Sequence, residues 1–244
     1  LAALKQLMIG EHGTNHGAGG HAAVVGFGPK KVTSGNWSGY ADDNSEGYST
    51  VTAHWKEPTV NCGTQDVESM AAFWVGIDGY SSATVEQDGS LAYCYEDTAY
   101  YYTWWEMEPK YPIETVGNSV KAGDEITASV TRVGTKYTLK VVDSTNPDNS
   151  FTKYRYCPAK TCVDSSAEWV AEAPAGTSGQ YPLAEFSNWQ PQGATVTSAT
   201  KSGTISSFPD YFITMDDSNT VLALPGPLNE AGNKFTDTWK ASSH

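Results

Sequence analysis

The chain has 244 residues and an acidic composition, with 15 Lys and Arg against 28 Asp and Glu and a formal net charge of −13 at pH 7. Nucleic-acid binding is excluded, because affinity for phosphates depends on Lys and Arg and the only arginines are Arg132 and Arg155. No run approaches the ~18 apolar residues of a membrane-spanning helix, so no membrane partner is expected. This length is compatible with a single all-β domain.

Residues 1–35 differ in composition from the rest of the chain and are predicted to be an N-terminal extension, either a linker or a propeptide remnant. A short helical stretch is predicted over residues 2–8, and a Gly- and His-rich run follows from residue 10 to residue 28. Such a run has too few apolar side chains to form a core. Residues 36–244 are therefore predicted to form the main domain.

From residue 36 onward, apolar and polar residues alternate with the period of β-strands. Residues 125–132 and 136–143 predict a hairpin around a turn at 133–135. Further strands are predicted at 48–57, 71–78, 83–95, 99–108, 151–156, 166–172, 193–207, 210–215 and 220–224. Because no helices alternate with these runs, the predicted fold is all-β. We expect an antiparallel sandwich of two large sheets, concanavalin-like or jelly-roll-like, preceded by the short extension.

The four cysteines form an even set, which is typical of a protein secreted into an oxidising compartment. Cys157 and Cys162 could close a small loop, which leaves Cys62 to pair with Cys94. Zinc binding is the alternative, although no C-x-x-C spacing is present and no His lies near either pair. Two disulfides are the favoured interpretation.

The common catalytic signatures are absent from the sequence. It contains no G-x-S-x-G, no H-E-x-x-H, no phosphate-binding loop and no Asp-Thr-Gly pair. Only His54 and His244 lie outside the extension, and neither has the Ser or Cys context of a triad. Any chemistry must then use carboxylates and amides, which indicates reaction at low pH or on sugars.

Five short sequence blocks occur in order over residues 36–172. They are Asn36–Gly39 (NWSG), Trp74–Gly79 (WVGIDG), Thr84–Gly89 (TVEQDG), Trp104–Pro109 (WWEMEP) and Ala167–Glu172 (AEWVAE). Together they resemble the glutamic peptidases, the eqolisin or G1 family of pepstatin-insensitive acid endopeptidases. The resemblance implies that residues 36–244 are a catalytic domain that cleaves polypeptides without metal or cofactor. A monomer is expected.

The resemblance also implies a catalytic dyad, with Gln87 and Glu172 at the matching positions. On a strand Glu168 shares a face with Glu172, so it is the residue most easily confused with the catalytic Glu. The resemblance gives supporting roles to three tryptophans that would line the cleft and to two acidic residues that could orient the dyad. These supporting residues are Trp37, Trp74, Trp104, Asp78 and Glu106.

The chemistry of such a dyad follows from its two functional groups. A carboxylate at Glu172 can take a proton from water as the water attacks the scissile carbonyl, and can then return it to the leaving amine. The amide of Gln87 can donate to the developing oxyanion, an interaction worth about 3–4 kcal/mol when preorganised. A base of this type works best near its own pKa, about 4.3.

Two other functions compete with this prediction. Gly176–Ser178 and Pro182 match the G-T-S-x-x-x-P pattern of sedolisins, although those serine peptidases have an α/β fold. A carbohydrate-binding or glycan-cleaving β-sandwich would also use a cleft rich in Trp and Tyr, and a retaining glycosidase needs two carboxylates ~5 Å apart. Neither alternative gives Gln87 a role.

The extension carries Lys5, Lys30 and Lys31 against Glu11, and its three histidines gain charge in acid. We hypothesise that it covers an acidic cleft near neutral pH and detaches at low pH. Incubation in acid should then shorten the chain to a start near residues 30–36, as measured by intact mass. A chain that keeps its full length after prolonged acid treatment contradicts this hypothesis.

Overall fold

The computed structural model describes residues 7–8, 28–43, 47–63, 68–158 and 161–242. Its regular structure consists of strands and two short 3-10 helices, Pro147–Asn149 and Ile205–Ser207. The strands are β1 Leu7–Met8, β2 Lys30–Ser34, β3 Trp37–Asp43, β4 Tyr48–Lys56, β5 Val60–Asn61, β6 Ser69–Ile77, β7 Val85–Tyr95, β8 Thr98–Glu108, β9 Tyr111–Thr115, β10 Glu125–Val133, β11 Lys136–Asp143, β12 Phe151–Tyr156, β13 Ser166–Glu172, β14 Ala175–Gly176, β15 Gly179–Gln180, β16 Glu185–Phe186, β17 Gln192–Ser198, β18 Ser202–Gly203, β19 Asp210–Asp216, β20 Val221–Pro225 and β21 Asp237–Trp239.

Two large sheets confirm the predicted sandwich. The six-stranded sheet has the order β12-β11-β10-β4-β17-β18. The ten-stranded sheet has the order β21-β20-β19-β3-β13-β6-β7-β8-β9, with β2 added beside β19. All pairings in these sheets are antiparallel except β2 with β19. No helix in the described part of the chain is long and apolar enough to cross a bilayer.

The alternation of apolar residues determines which face of each strand is buried. In the confirmed hairpin β10–β11, Ile126, Ala128 and Val130 are buried, and Val130 lies opposite the buried Leu139. These side chains join Trp169 and other residues of the ten-stranded sheet in the core between the sheets. A strand with one buried face has its register fixed, because a one-residue slip would expose its apolar side chains.

Three segments differ from the sequence-based expectations. The predicted strand 193–207 is interrupted, because β17 turns back through the hydrogen bond from Ser198 N to Lys201 O (2.8 Å) into β18 and a 3-10 helix. Residues 7–8 of the predicted helix are instead strand β1, since so short a helix gains few hydrogen bonds. The other residues of that helix lie outside the described residues. Residues 30–34 of the predicted extension form β2.

Both predicted disulfides are present, Cys62–Cys94 and Cys157–Cys162, and no free cysteine remains. Glu86 lies near the second pair, in a cluster with the two sulfurs that would suit a metal ion by distance alone. The sulfurs are bonded to each other, so they are not available as the thiolate ligands that zinc requires. This bonding overturns the zinc alternative at these cysteines.

Acidic side chains are unusually common in the interior. Among the described residues, twelve Asp and Glu side chains are buried and no Lys or Arg side chain is. Only three ion pairs are present in this part of the chain. The buried acids are Asp42, Glu57, Asp78, Glu86, Asp88, Glu106, Asp124, Asp143, Asp164, Glu168, Glu172 and Asp237. A buried carboxylate without a cation is costly, so such groups tend to take up a proton.

Burial raises the pKa of many of these groups. It raises the pKa of Asp237 to about 7, against smaller lowering effects of the Ser38 hydroxyl and the Thr238 amide. It raises the pKa of Glu57 to about 8. Burial also holds five further carboxyl groups well above their usual pKa range: Asp42, Glu86, Asp88, Glu106 and Glu168.

We expect the free energy of unfolding to be largest at about pH 3–4 and to fall as the pH rises toward 8. Above pH ~4 the unfolded chain releases protons that the folded chain retains, so rising pH favours unfolding. Urea unfolding at successive pH values measures this decline. Asp237→Asn, which has no charge to bury, should reduce the decline by up to ~4 kcal/mol.

Asp148→Asn is the matched control, because Asp148 is exposed and should leave the decline unchanged. A free energy of unfolding that increases between pH 4 and pH 8 would contradict the protonated interior.

Candidate active site

Residues paired across the central strands place the predicted site residues on one face of the ten-stranded sheet. Glu168 of β13 lies opposite Gly76 of β6, Gly76 lies opposite Gln87 of β7, and Gln87 lies opposite Glu106 of β8. Directly opposed residues project to the same side. We call this side, which is turned away from the six-stranded sheet, the site face. Its buried apolar cluster includes the predicted cleft residues Trp37, Trp74 and Trp104.

Glu172 is held on the site face by two side-chain donors. Trp74 Nε1 donates to Glu172 Oε2 at 2.9 Å, and Asn36 Nδ2 donates to Glu172 Oε1 at 3.4 Å. Trp37 lies opposite Glu172 across β3 and β13 and packs edge-on against Trp74, with ring centroids 5.0 Å apart. Both carboxylate oxygens accept an N–H, and such hydrogen bonds favour the ionised form.

Gln87 is fully buried and is oriented by Glu106. Its Nε2 donates to Glu106 Oε2 at 2.8 Å. Burial raises the pKa of Glu106 well above its usual range, and the nearby Glu108 and Glu172 raise it further, against the lowering effect of Gln87. Glu106 is therefore neutral in acid.

Glu168 shares the site face but differs chemically from Glu172. Burial raises the pKa of Glu168 well above its usual range, and the hydroxyl of Ser166 and the backbone of Tyr80 only partly offset this. A group that keeps its proton cannot accept another from water. Both glutamates of the AEWVAE block are buried, and the difference between them is that Glu172 accepts hydrogen bonds from the side chains of Trp74 and Asn36.

Asp78 and Trp104 contact the backbone. Asp78 accepts hydrogen bonds from the amides of Val163 (3.0 Å), Asp164 (2.8 Å) and Ser165 (2.7 Å), which belong to the loop that leads into β13. Trp104 Nε1 donates to the Ser90 carbonyl at 2.9 Å. Asp78 therefore fixes where β13 begins, whereas Glu106 is the acidic residue hydrogen-bonded to Gln87.

Comparison with known proteins identifies the family. Residues 35–224 match the Peptidase A4 family. The chain belongs to that family. This match confirms the resemblance carried by the five sequence blocks. Aspergillopepsin-2 of Aspergillus niger is 27% identical over 158 residues, which cover 57% of this chain. The alignment spans 56% of the length of that relative.

Solved structures agree on the fold of this Peptidase A4 family member. Scytalido-glutamic peptidase with a transition state analog inhibitor aligns with a TM-score of 0.70 and 22% identity, over 84% of this chain and 98% of that one. Aspergilloglutamic peptidase from Aspergillus niger aligns with a TM-score of 0.60 and 23% identity, over 70% and 99%. SCP-B, an eqolisin in complex with the tripeptide Ala-Ile-His, aligns with a TM-score of 0.67 and 20% identity, over 84% and 98%.

Sequence reasoning missed the contact between Asn36 and Glu172. Asn36 was visible as the first residue of the NWSG block, but its partner lies 136 residues away and is brought near by the pairing of β3 with β13. The Ala173 amide also donates to the Asn36 carbonyl at 2.9 Å. Asn36 therefore holds the Glu172 side chain through its own side chain, and holds the next residue, Ala173, through its carbonyl group.

Gly76 provides the space that the Trp74 ring occupies in this Peptidase A4 domain. A Cβ atom at residue 76 would lie 2.8 Å from Trp74 Cζ3, closer than real contacts allow. The position of the Trp74 indole, whose Nε1 donates to Glu172, therefore depends on residue 76 having no side chain.

We expect Gly76→Ala to lower the free energy of unfolding by about 1–3 kcal/mol, because the added methyl group overpacks a buried site. The near-ultraviolet circular dichroism of the tryptophans should change as the Trp74 indole moves. Gly63→Ala is the control, since a Cβ atom there meets nothing within 4 Å. Equal stability and equal spectra for the two variants would contradict this role of Gly76.

Proposed function

We propose that this protein is an acid endopeptidase that hydrolyses peptide bonds with Gln87 and Glu172. The observation that carries the proposal is a Glu held by two donors on the same sheet face as a buried Gln, inside a Peptidase A4 domain. The relatives with solved structures are named as glutamic peptidases, and one is recorded with a transition state analog inhibitor. Polypeptides are the proposed substrates.

In the proposed reaction, Glu172 acts first as a base and then as an acid. Its carboxylate takes a proton from water as the water oxygen bonds to the scissile carbonyl carbon. The same proton then passes to the departing amine as the C–N bond breaks, which restores the carboxylate. Trp74 and Asn36 support the ionised form and fix its orientation.

Gln87 is proposed to stabilise the oxyanion of the tetrahedral intermediate. Its side-chain amide has two N–H bonds in one plane, and the bond directed at Glu106 fixes the direction of the other. A donor that is already oriented needs no reorganisation as negative charge develops. Glu106, neutral in acid, supplies this orientation without adding a charge next to the oxyanion.

Glu168 is the less suitable base for a physical reason. Its buried carboxyl keeps a proton in acid, whereas Glu172 accepts two N–H donors. We propose that Glu168 supports the site as a neutral neighbour. Trp37, Trp74 and Trp104 supply the apolar wall of the cleft, and Asp78 acts through the loop that begins β13.

The two disulfides and the fungal relatives are consistent with an extracellular protein. Secretion is proposed on that basis. The predicted monomer and the predicted inhibitory role of residues 1–35 stay predictions.

The function is tested by digesting a denatured protein at about pH 3–4 in the presence of pepstatin. We expect cleavage by the wild type, a loss of at least 10²-fold for Gln87→Ala, and a larger loss for Glu172→Gln, because these remove the oxyanion donor and the base. Glu86→Gln is the matched control, since Glu86 is equally buried next to Gln87 but faces the core between the sheets.

Two outcomes would overturn the proposal. Activity lost with Ser178→Ala but kept with Glu172→Gln would indicate a serine peptidase. Cleavage or binding of glycans without any cleavage of polypeptides would indicate the carbohydrate-directed sandwich.

A further inference from the structure

Strand β1 occupies an edge that belongs to neither large sheet. Leu7 and Met8 pair antiparallel with Gly176 and Ala175 of β14. The other edge of β14 pairs with β15, so the three short strands form a small sheet of their own. A stretch of extended chain from a distant part of the sequence thus adds to β14 through its main chain.

This edge follows Glu172 closely along the chain. β14 begins three residues after it, and the intervening Ala173 is hydrogen-bonded to Asn36, which also donates to the Glu172 carboxylate. Gln180 of β15 donates from Nε2 to the Gly35 carbonyl at 3.0 Å. The β14–β15 hairpin is therefore anchored to the same peptide segment that holds the proposed base.

β1 also lies close to a strand of the ten-stranded sheet. β1 contacts β9, and β9 pairs with β8 at Trp104 and Thr115. Ile113 of β9 packs against the apolar cluster of the site face. An extended chain bound along β14 would therefore lie between the strand that follows Glu172 and the strand next to Trp104.

The residues of β14 suit close approach by another backbone. They are Ala175 and Gly176, and a Cβ atom at Gly176 would lie 2.8 Å from the ring of Tyr181, which itself packs on the site-face cluster. A strand edge with such small side chains binds a peptide mainly through N–H and C=O groups. Recognition of this kind selects an extended conformation more than a particular sequence.

We propose that the edge of β14 opposite β15 is the docking strand for the extended substrate chain, and that Leu7–Met8 occupy this edge in the structure described here. The docking role rests on the proposed peptidase function. The substrate would add antiparallel to β14 by main-chain hydrogen bonds, with its scissile carbonyl carried toward Glu172. Residues 7–8 then compete with the substrate for the same hydrogen bonds.

The first experiment tests the occupied edge in the full chain. Proline has no N–H and breaks strand pairing, so Leu7→Pro with Met8→Pro should release β14. We expect amide hydrogen exchange of Ala175 and Gly176 to become at least 10-fold faster, and the KM for a short peptide substrate to fall several-fold at constant kcat. Leu7→Ala with Met8→Ala keeps both N–H groups and should behave as the wild type. Equal exchange in all three proteins would overturn the pairing.

The second experiment tests substrate docking independently of activity. A peptide whose scissile bond is replaced by a methylene-amine is added to the double proline variant, and its N-methylated analogue serves as the control. Protection of Ala175 and Gly176 by the first peptide alone supports docking. This holds even if no protein is ever cleaved, in which case the peptidase function fails. Protection by neither peptide, or by both equally, overturns docking through the main chain.

Discussion

A buried carboxyl group in this sandwich needs a proton, a cationic partner or several N–H donors, and the described part of the chain buries no Lys or Arg that could act as the cation. Protons therefore take the place of cations in the interior. Most proteins lose stability in acid because native ion pairs are broken. Here acid stabilises the core, because burying a neutral carboxyl group costs less free energy than burying a charged one.

The arrangement of the site follows from the same constraint. Glu106 and Glu168 keep their protons through burial, while Glu172 is surrounded by the N–H donors of Trp74 and Asn36. Glu172 therefore differs from these two neighbours in having an N–H donor on each of its carboxylate oxygens. The pH range that stabilises the fold is thus the range in which Glu106 and Glu168, the neighbours of the proposed base, are neutral.

The sequence predicted what depends on local pattern and missed what depends on distant pairing. Period-two alternation located the hairpin of β10 and β11, and the even cysteine count led to both disulfides. The sequence blocks placed Gln87 and Glu172, which the sheet register brings onto one face. The contact of Asn36 with Glu172 and the strand at residues 7–8 could not be predicted, because each depends on a partner far along the chain.

The hydrogen bonds from the amides of residues 163–165 to Asp78 separate the Cys157–Cys162 loop from strand β13. The loop tolerates changes in length that the strand does not. Upstream of the amides that Asp78 binds, the Cys157–Cys162 loop closes on itself through its disulfide. Downstream, β13 begins at a fixed residue and carries Glu172 at its end. Insertions or deletions within the disulfide loop would leave Val163 and the residues after it in place, because Asp78 holds their amides. The loop can therefore be lengthened or shortened without shifting the strand that carries Glu172.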